Sequence, residues 1–191
     1  MPNPESITQW GLAKAAFATM TKDGDTISAF GTPHHQVGAI SANVSFASNT
    51  NNIQSADNGK HYGGEGTATV TIEFTCAKFD SWFKTNVLGY FEDGGGLGLG
   101  DGETSEVAAL FEVNQDQGGK RFLLYDATSS QISVNYATTT YDGQVTYATE
   151  TVTLTGTCVI LPNGNKRSYF EVEEGETGYS AFFDEVYYPA A

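Results

Sequence analysis

The 191-residue chain is 39% hydrophobic, enough for a sizeable core, and its longest strongly apolar run is the five residues from Val107 to Phe111, far short of a bilayer span. Nine Lys+Arg against 23 Asp+Glu leave a net charge of −14, which excludes tight gripping of nucleic acid or of anionic membranes, since both need clustered cations. The two cysteines, Cys76 and Cys158, are too few for a disulfide framework or a structural zinc site.

The first residues, Met1-Pro2-Asn3-Pro4-Glu5, show neither a basic region nor an apolar segment behind it. The expected compartment is therefore the cytoplasm, and the length predicts a single domain over residues 1–191. Strands are predicted from Leu12 to Thr21 and from Gln36 to Phe46, with Asp23-Gly24 as a turn signal after the first. Asn49 to Gly64 is polar throughout except for Ile53, Ala56 and Tyr62, and reads as a long loop of the functional or mobile kind. Thr67 to Cys76 then alternates without error, Thr67, Thr69, Thr71, Glu73 and Thr75 against Ala68, Val70, Ile72, Phe74 and Cys76. Such alternation is the signature of a half-buried strand.

A helix is predicted from about Lys78 to Gly89, where Phe79, Trp82, Phe83 and Val87 fall at helical spacing and Gly89 offers a stop. The stretch from Glu92 to Glu106 holds six glycines between Gly94 and Gly102 and reads as a flexible surface loop. Strands follow at Val107 to Val113, Arg121 to Ala127 and Ile132 to Ala137. Thr149 to Cys158 repeats the earlier pattern, both segments reading Thr-x-Thr-Val-Thr-(Ile/Leu)-x-x-Thr-Cys. Each predicts one wet, threonine-coated face and one core face, with both cysteines on the core parity and buried. A last strand is predicted at Arg167 to Glu173 and a second short helix at Tyr179 to Tyr187. Together these give a mainly β fold, an antiparallel sandwich or partial barrel with one flanking helix at about 78–89 and long loops at 49–64 and 92–106.

Chemical motifs are scarce. No P-loop and no Gly-x-Ser-x-Gly elbow occurs, and Gly94 to Gly100 fails the dinucleotide-binding spacing in every register. Asp93, Asp101 and Glu103 flank the glycines and leave a weak calcium site as an alternative to a plain loop. Adjacent His34 and His35 would point to opposite faces of a strand and cannot share a metal, and His61 is isolated. Glu171 and Glu173 alternate onto one strand face beside Tyr169, which reads as a solvated acidic strand rather than a glycosidase pair. The expectation is a protein that is not an enzyme and carries no cofactor or metal.

The order of these features resembles the major tail tube proteins of long-tailed, non-contractile phages of Gram-positive bacteria. The residues that carry the resemblance are Gly31-Thr32-Pro33, Val37 to Ser45, the polar stretch with Ser55-Ala56-Asp57-Asn58-Gly59, and the strand Thr67 to Phe74. The helix ending on Leu88-Gly89, Lys120 to Tyr125, the Thr-rich strand and Phe182 to Tyr187 complete it. The resemblance implies a virion protein, assembled in the host cytoplasm, that forms stacked hexameric rings through which DNA passes without specific binding. Its implied partners are further copies of itself and the tape measure, tail terminator and distal tail proteins, with no membrane involved. In that setting Asn51, Ile53, Asp57, Asn58, His61 and Tyr62 are expected in an inter-ring loop, and Thr69, Thr71, Glu73, Thr151 and Thr153 are expected to face the lumen. An alternative reading of the residues is a carbohydrate-binding or adhesive sandwich, for which Tyr136, Tyr141 and Tyr147 are the candidate aromatics.

Overall fold

A computed structural model describes residues 9–55, 58–101, 103–115, 118–136 and 147–189. In chain order the elements are β1 (Gln9–Asp23), β2 (Thr26–Phe30), β3 (His34–His35), β4 (Ala39–Ser55), β5 (Asn58–Cys76), α1 (Ser81–Asn86), β6 (Tyr90–Asp93) and β7 (Gly96–Leu99). They continue with β8 (Glu106–Gln115), β9 (Gly118–Ser129), β10 (Ser133–Asn135), β11 (Thr149–Gly156), β12 (Val159–Ile160), β13 (Lys166–Arg167) and β14 (Tyr169–Glu173). The main sheet runs β13-β12-β2-β1-β8-β9-β11-β5-β4, with β3, β10 and β14 pairing from the side onto β1, β11 and β9.

The three central strands are apolar on both faces because both are covered. Alternate residues Ala15 and Phe17 of β1, Val107, Ala109 and Phe111 of β8, and Phe122 and Leu124 of β9 fill one core. Their neighbours Ala16, Ala18, Ala108, Leu110, Leu123 and Tyr125 fill the other. Past β9 the sheet curls back over the first core, so that the Phe74 ring of β5 meets Phe17 at 5.7 Å and Phe111 at 5.3 Å. It does not close into a barrel among the described residues, and the mainly β architecture with one short helix agrees with expectation.

The helix is shorter than its periodicity suggests. Asp80 is extended and caps it, its carboxylate accepting the Phe83 N–H at 2.8 Å. Phe79 therefore lies outside the helix yet is buried, as are Phe83, Val87 and Leu88. Gly89, at φ +71°, ends the run where a Cβ would collide with the Glu103 carbonyl.

Four local expectations are corrected. The described residues of 49–64 are not a loop, because β4 and β5 stay paired as a two-stranded arm as far as Ser55 and Asn58, with Asn51 opposite Gly64 and Ile53 opposite Tyr62. The glycine-rich stretch contains the β6–β7 hairpin, turned by Gly94 and Gly95 at φ +56° and +86°, the pair of positive values that a type I′ turn demands. Residues 179–187 form successive turns rather than a helix, since the Tyr179 carbonyl is taken by the Arg121 guanidinium and by the Phe182 N–H three residues on. Cys158 is exposed, because β11 ends at Gly156 and the alternation no longer governs the residues after it, whereas Cys76 is buried and both thiols are free.

Candidate assembly surfaces

The two Thr-rich strands are neighbours. β11 runs antiparallel to β5 from Glu150 opposite Cys76 to Gly156 opposite Val70. β4 flanks β5 on its other side and β10 flanks the start of β11, so four strands form one layer ordered β4-β5-β11-β10. Register then decides what each face carries. Ser41, Thr75, Thr151 and Ser133 align across the layer, as do Asn43, Glu73 and Thr153, and Ser45, Thr71 and Thr155, with Ala47 opposite Thr69. The other face aligns Ala42, Phe74 and Val152, then Val44, Ile72 and Leu154, over the core. Thr69, Thr71, Glu73, Thr151 and Thr153 are thereby brought onto one face, and Ser41, Asn43, Ser45 and Thr155, which periodicity in single strands did not single out, join them. The Thr75 and Thr151 hydroxyls bond to each other at 3.0 Å.

Each margin of this layer carries one unpaired strand edge, β4 on one side and the short β10 on the other, where β9 takes the rest of β11 from Leu154 to Gly156. Among the described residues β4 pairs only with β5, and β10 only with β11. Unpaired edge backbone is a template for another strand. Beyond the last β11 pair the β4–β5 arm continues from Ala47 to Ser55, about 27 Å at the usual strand rise. Asn51, Ile53, Asn58, His61 and Tyr62 lie on this arm, and Asp57 lies outside the described residues. A two-stranded ribbon is marginal by itself in water.

Several ionisable groups are engaged in holding the fold. Glu150, on the core side of β11, accepts the Phe79 N–H at 2.7 Å and the Lys84 ammonium at 3.1 Å, tying α1 to the layer. Lys22 bridges Asp126 and Glu106 at 2.8 and 2.7 Å. Burial opposes its charge, but hydrogen bonds to those two carboxylates more than offset this and hold the ammonium above its usual pKa. Glu171 sits below the usual carboxylate range, chiefly through its bond to Lys120 and also through the Tyr169 hydroxyl at 3.0 Å. Burial pushes the Cys76 thiol up. His34 and His35 do face opposite ways. His34 bonds Asp80 at 2.7 Å and stacks on Trp82, while His35 lies against Phe183. Among the described residues no group of three or more His, Cys, Asp or Glu could hold a metal ion. Tyr136 and Tyr147 are exposed, and Tyr141 lies outside the described residues.

A half-wet sheet layer with two open edges and a projecting arm is the anatomy of a self-associating protein. In agreement with it, the family model for phage tail tube protein matches residues 3–121. The chain belongs to the phage tail tube protein family. No curated protein matches the sequence. The matched span includes β1, the β4–β5 arm, α1 and β8, and stops inside β9, so β11, β10 and the C-terminal turns lie beyond it. As a tail tube protein the chain has a structural role in the virion tail, where it self-associates into a tube with other tail proteins. No described helix is long and apolar enough to cross a membrane.

Proposed function

We propose that this phage tail tube protein is the major subunit of a long, non-contractile tail, that six copies close into a ring with the β4-β5-β11-β10 hydroxyl face lining the pore, and that stacked rings conduct DNA during ejection. The observation that carries this reading is the pairing of a nearly uncharged, hydroxyl-rich face with two open edges of opposite direction. Within the layer β4 and β11 run one way, β5 and β10 the other. Rotation about an axis along the strands preserves direction and facing. The β10 edge of one copy therefore meets the β4 edge of the next antiparallel, and the same face stays inward all the way round. A pore wall built this way offers water and hydroxyls to DNA and few cations, which suits a conduit that must let the polymer slide. The role is structural and non-enzymatic, and the tape measure, tail terminator and distal tail proteins are the partners expected along and at the ends of the tube.

Negative-stain microscopy of concentrated protein tests this directly. Rings or tubes roughly 100 Å wide, six domains of this size around a pore, are the expected result. Particles that remain monomeric at every concentration and salt would overturn it.

A further inference from the structure

We propose that Lys22 and Asp126 condense into an amide that staples β1 to β9, with Glu106 carrying the protons. The three side chains come from three adjacent strands, β1, β8 and β9. The Lys22 Nζ stands 2.8 Å from Asp126 Oδ2 and 2.7 Å from Glu106 Oε2. An amine, a carboxyl carbon beside it and a base at hydrogen-bond distance are the parts that amide formation requires.

The backbone aims Asp126 at this spot. Between Val107 and Ala109 the β8–β9 register slips, so that Tyr125 and Asp126 together oppose Ala108. A bulge of this kind turns a side chain out of the regular alternation. Tyr125 lies in the second core and Ala127 back in the first, which leaves Asp126 beside Lys22 with 7% of its side chain exposed. Its other oxygen, Oδ1, is buried and accepts no hydrogen bond among the described residues. Half of this carboxyl is thus dehydrated without compensation, a cost that a neutral amide in place of the ion pair lowers. Burial, with the Glu106 and Asp25 charges behind it, holds the Asp126 carboxyl above its usual range, toward the protonated form that an amine can attack.

The resting pair holds the proton on Lys22, whose ammonium the two carboxylates stabilise. Passing it to Glu106 frees the nitrogen lone pair, which forms the N–C bond to Asp126 Cγ. A C–O bond of Asp126 then breaks, its electron pair leaving with the oxygen. Glu106 delivers two protons in turn from the nitrogen to that oxygen, so one water departs and Glu106 ends as it began. Ammonium plus carboxylate become amide plus water, with nothing oxidised or reduced. Between free groups in water this condensation is unfavourable, but fixed neighbours act at effective molarities on the order of 10⁵–10⁸ M. Lys22 and Asp126 are 104 residues apart, so the bond closes a loop that holds β1 through β9 together.

Mass spectrometry of the purified full chain, denatured after folding, tests the bond. The protein should weigh one water less than its sequence. Asp-Gly pairs such as Asp23-Gly24 can also lose water as succinimides, so a tryptic map locates the loss. Lys22 should resist cleavage and appear in a branched peptide joined to Asp126. Lys22→Arg keeps the cation but supplies no nucleophile, and Glu106→Gln keeps the shape but carries no proton. Both variants should show the full mass and melt roughly 10 °C or more below the parent, as loss of a long-loop cross-link requires. The parental map decides even where a variant fails to fold. A parent of full mass with Lys22 cleaved, a water loss that maps elsewhere, or a Glu106→Gln variant bonded as completely as the parent would each overturn the proposal.

Discussion

Glu73 stands directly opposite Thr153 in the β5–β11 ladder and opposite Asn43 in the β4–β5 ladder, the one ionisable side chain among the aligned polar positions of the layer. Charge on this face is therefore set by a single residue per subunit. Replacing Glu73 and Thr153 by Lys should permit assembly and convert a slippery surface into a retaining one. Each added cation that meets a phosphate releases counterions, and stacked rings repeat it. Short duplex DNA should bind tubes of the double variant and not of the parent, with binding lost as salt is raised. Absence of binding at low salt would count against the inward orientation of this face.

Shortening the arm separates assembly from folding. The arm lies beyond the part of β5 that packs on Val152 and Leu154, so replacing Asn51 to Lys60 with a short Gly/Ser linker removes no described core contact. The melting temperature should move by no more than a few degrees and tubes should disappear. Tubes that persist would show that the arm is not the stacking element.

The thiols give a sharper reading than their sequence pattern allowed. Pairing of Gly156 with Val70 and Glu150 with Cys76 puts Cys158 and Cys76 at opposite ends of the shared ladder, too far apart to bond. Native protein should titrate one fast thiol, Cys158, and denatured protein two. A count of zero after denaturation would contradict the register.

What was legible in the sequence were the elements whose periodicity is enforced by a core on one side only. Thr67 to Cys76 and Thr149 to Gly156 showed their faces because the register of a half-buried strand is fixed by its apolar set. β2 was invisible for the converse reason, since only Ile27 of its five residues is buried. The arm was misread because its strand character comes from continuing the ladder begun by Ala42, Val44 and their β5 partners, not from apolar residues of its own. The layer itself, and with it the role of β10, depends on which strands are neighbours, a long-range fact that no local window contains.

Gly156 is the last residue of β11 and lies between Val70 of β5 on one side and Ala127 of β9 on the other. A Cβ there would run into the Leu124 side chain. Gly156→Ala should destabilise the fold by roughly 1–3 kcal/mol, the usual cost of overpacking a core, read as a lower midpoint in urea. An unchanged midpoint would mean that Leu124 can move aside freely.

Alkaline pH should weaken the fold through Tyr125. Its ring is fully buried and its hydroxyl donates to the Tyr187 carbonyl at 3.0 Å, and burial raises its pKa far above the usual 10. A raised pKa means stability intact below pH 10 and lost as pH climbs beyond it, because the unfolded chain ionises this phenol and the folded chain does not. Tyr125→Phe should cost about 0.5–1.5 kcal/mol at neutral pH by losing the hydrogen bond, and should flatten the decline above pH 10. An identical alkaline slope in both proteins would assign the effect elsewhere.

The most direct test is a three-dimensional reconstruction of assembled tubes at a resolution that traces strands. The account predicts that Ser45, Thr71, Glu73, Thr153 and their aligned neighbours line a continuous pore, with β4 of one copy hydrogen-bonded to β10 of the next. Tubes whose pore is lined by any other face, with the β4-β5-β11-β10 hydroxyls turned to the outside, would contradict it.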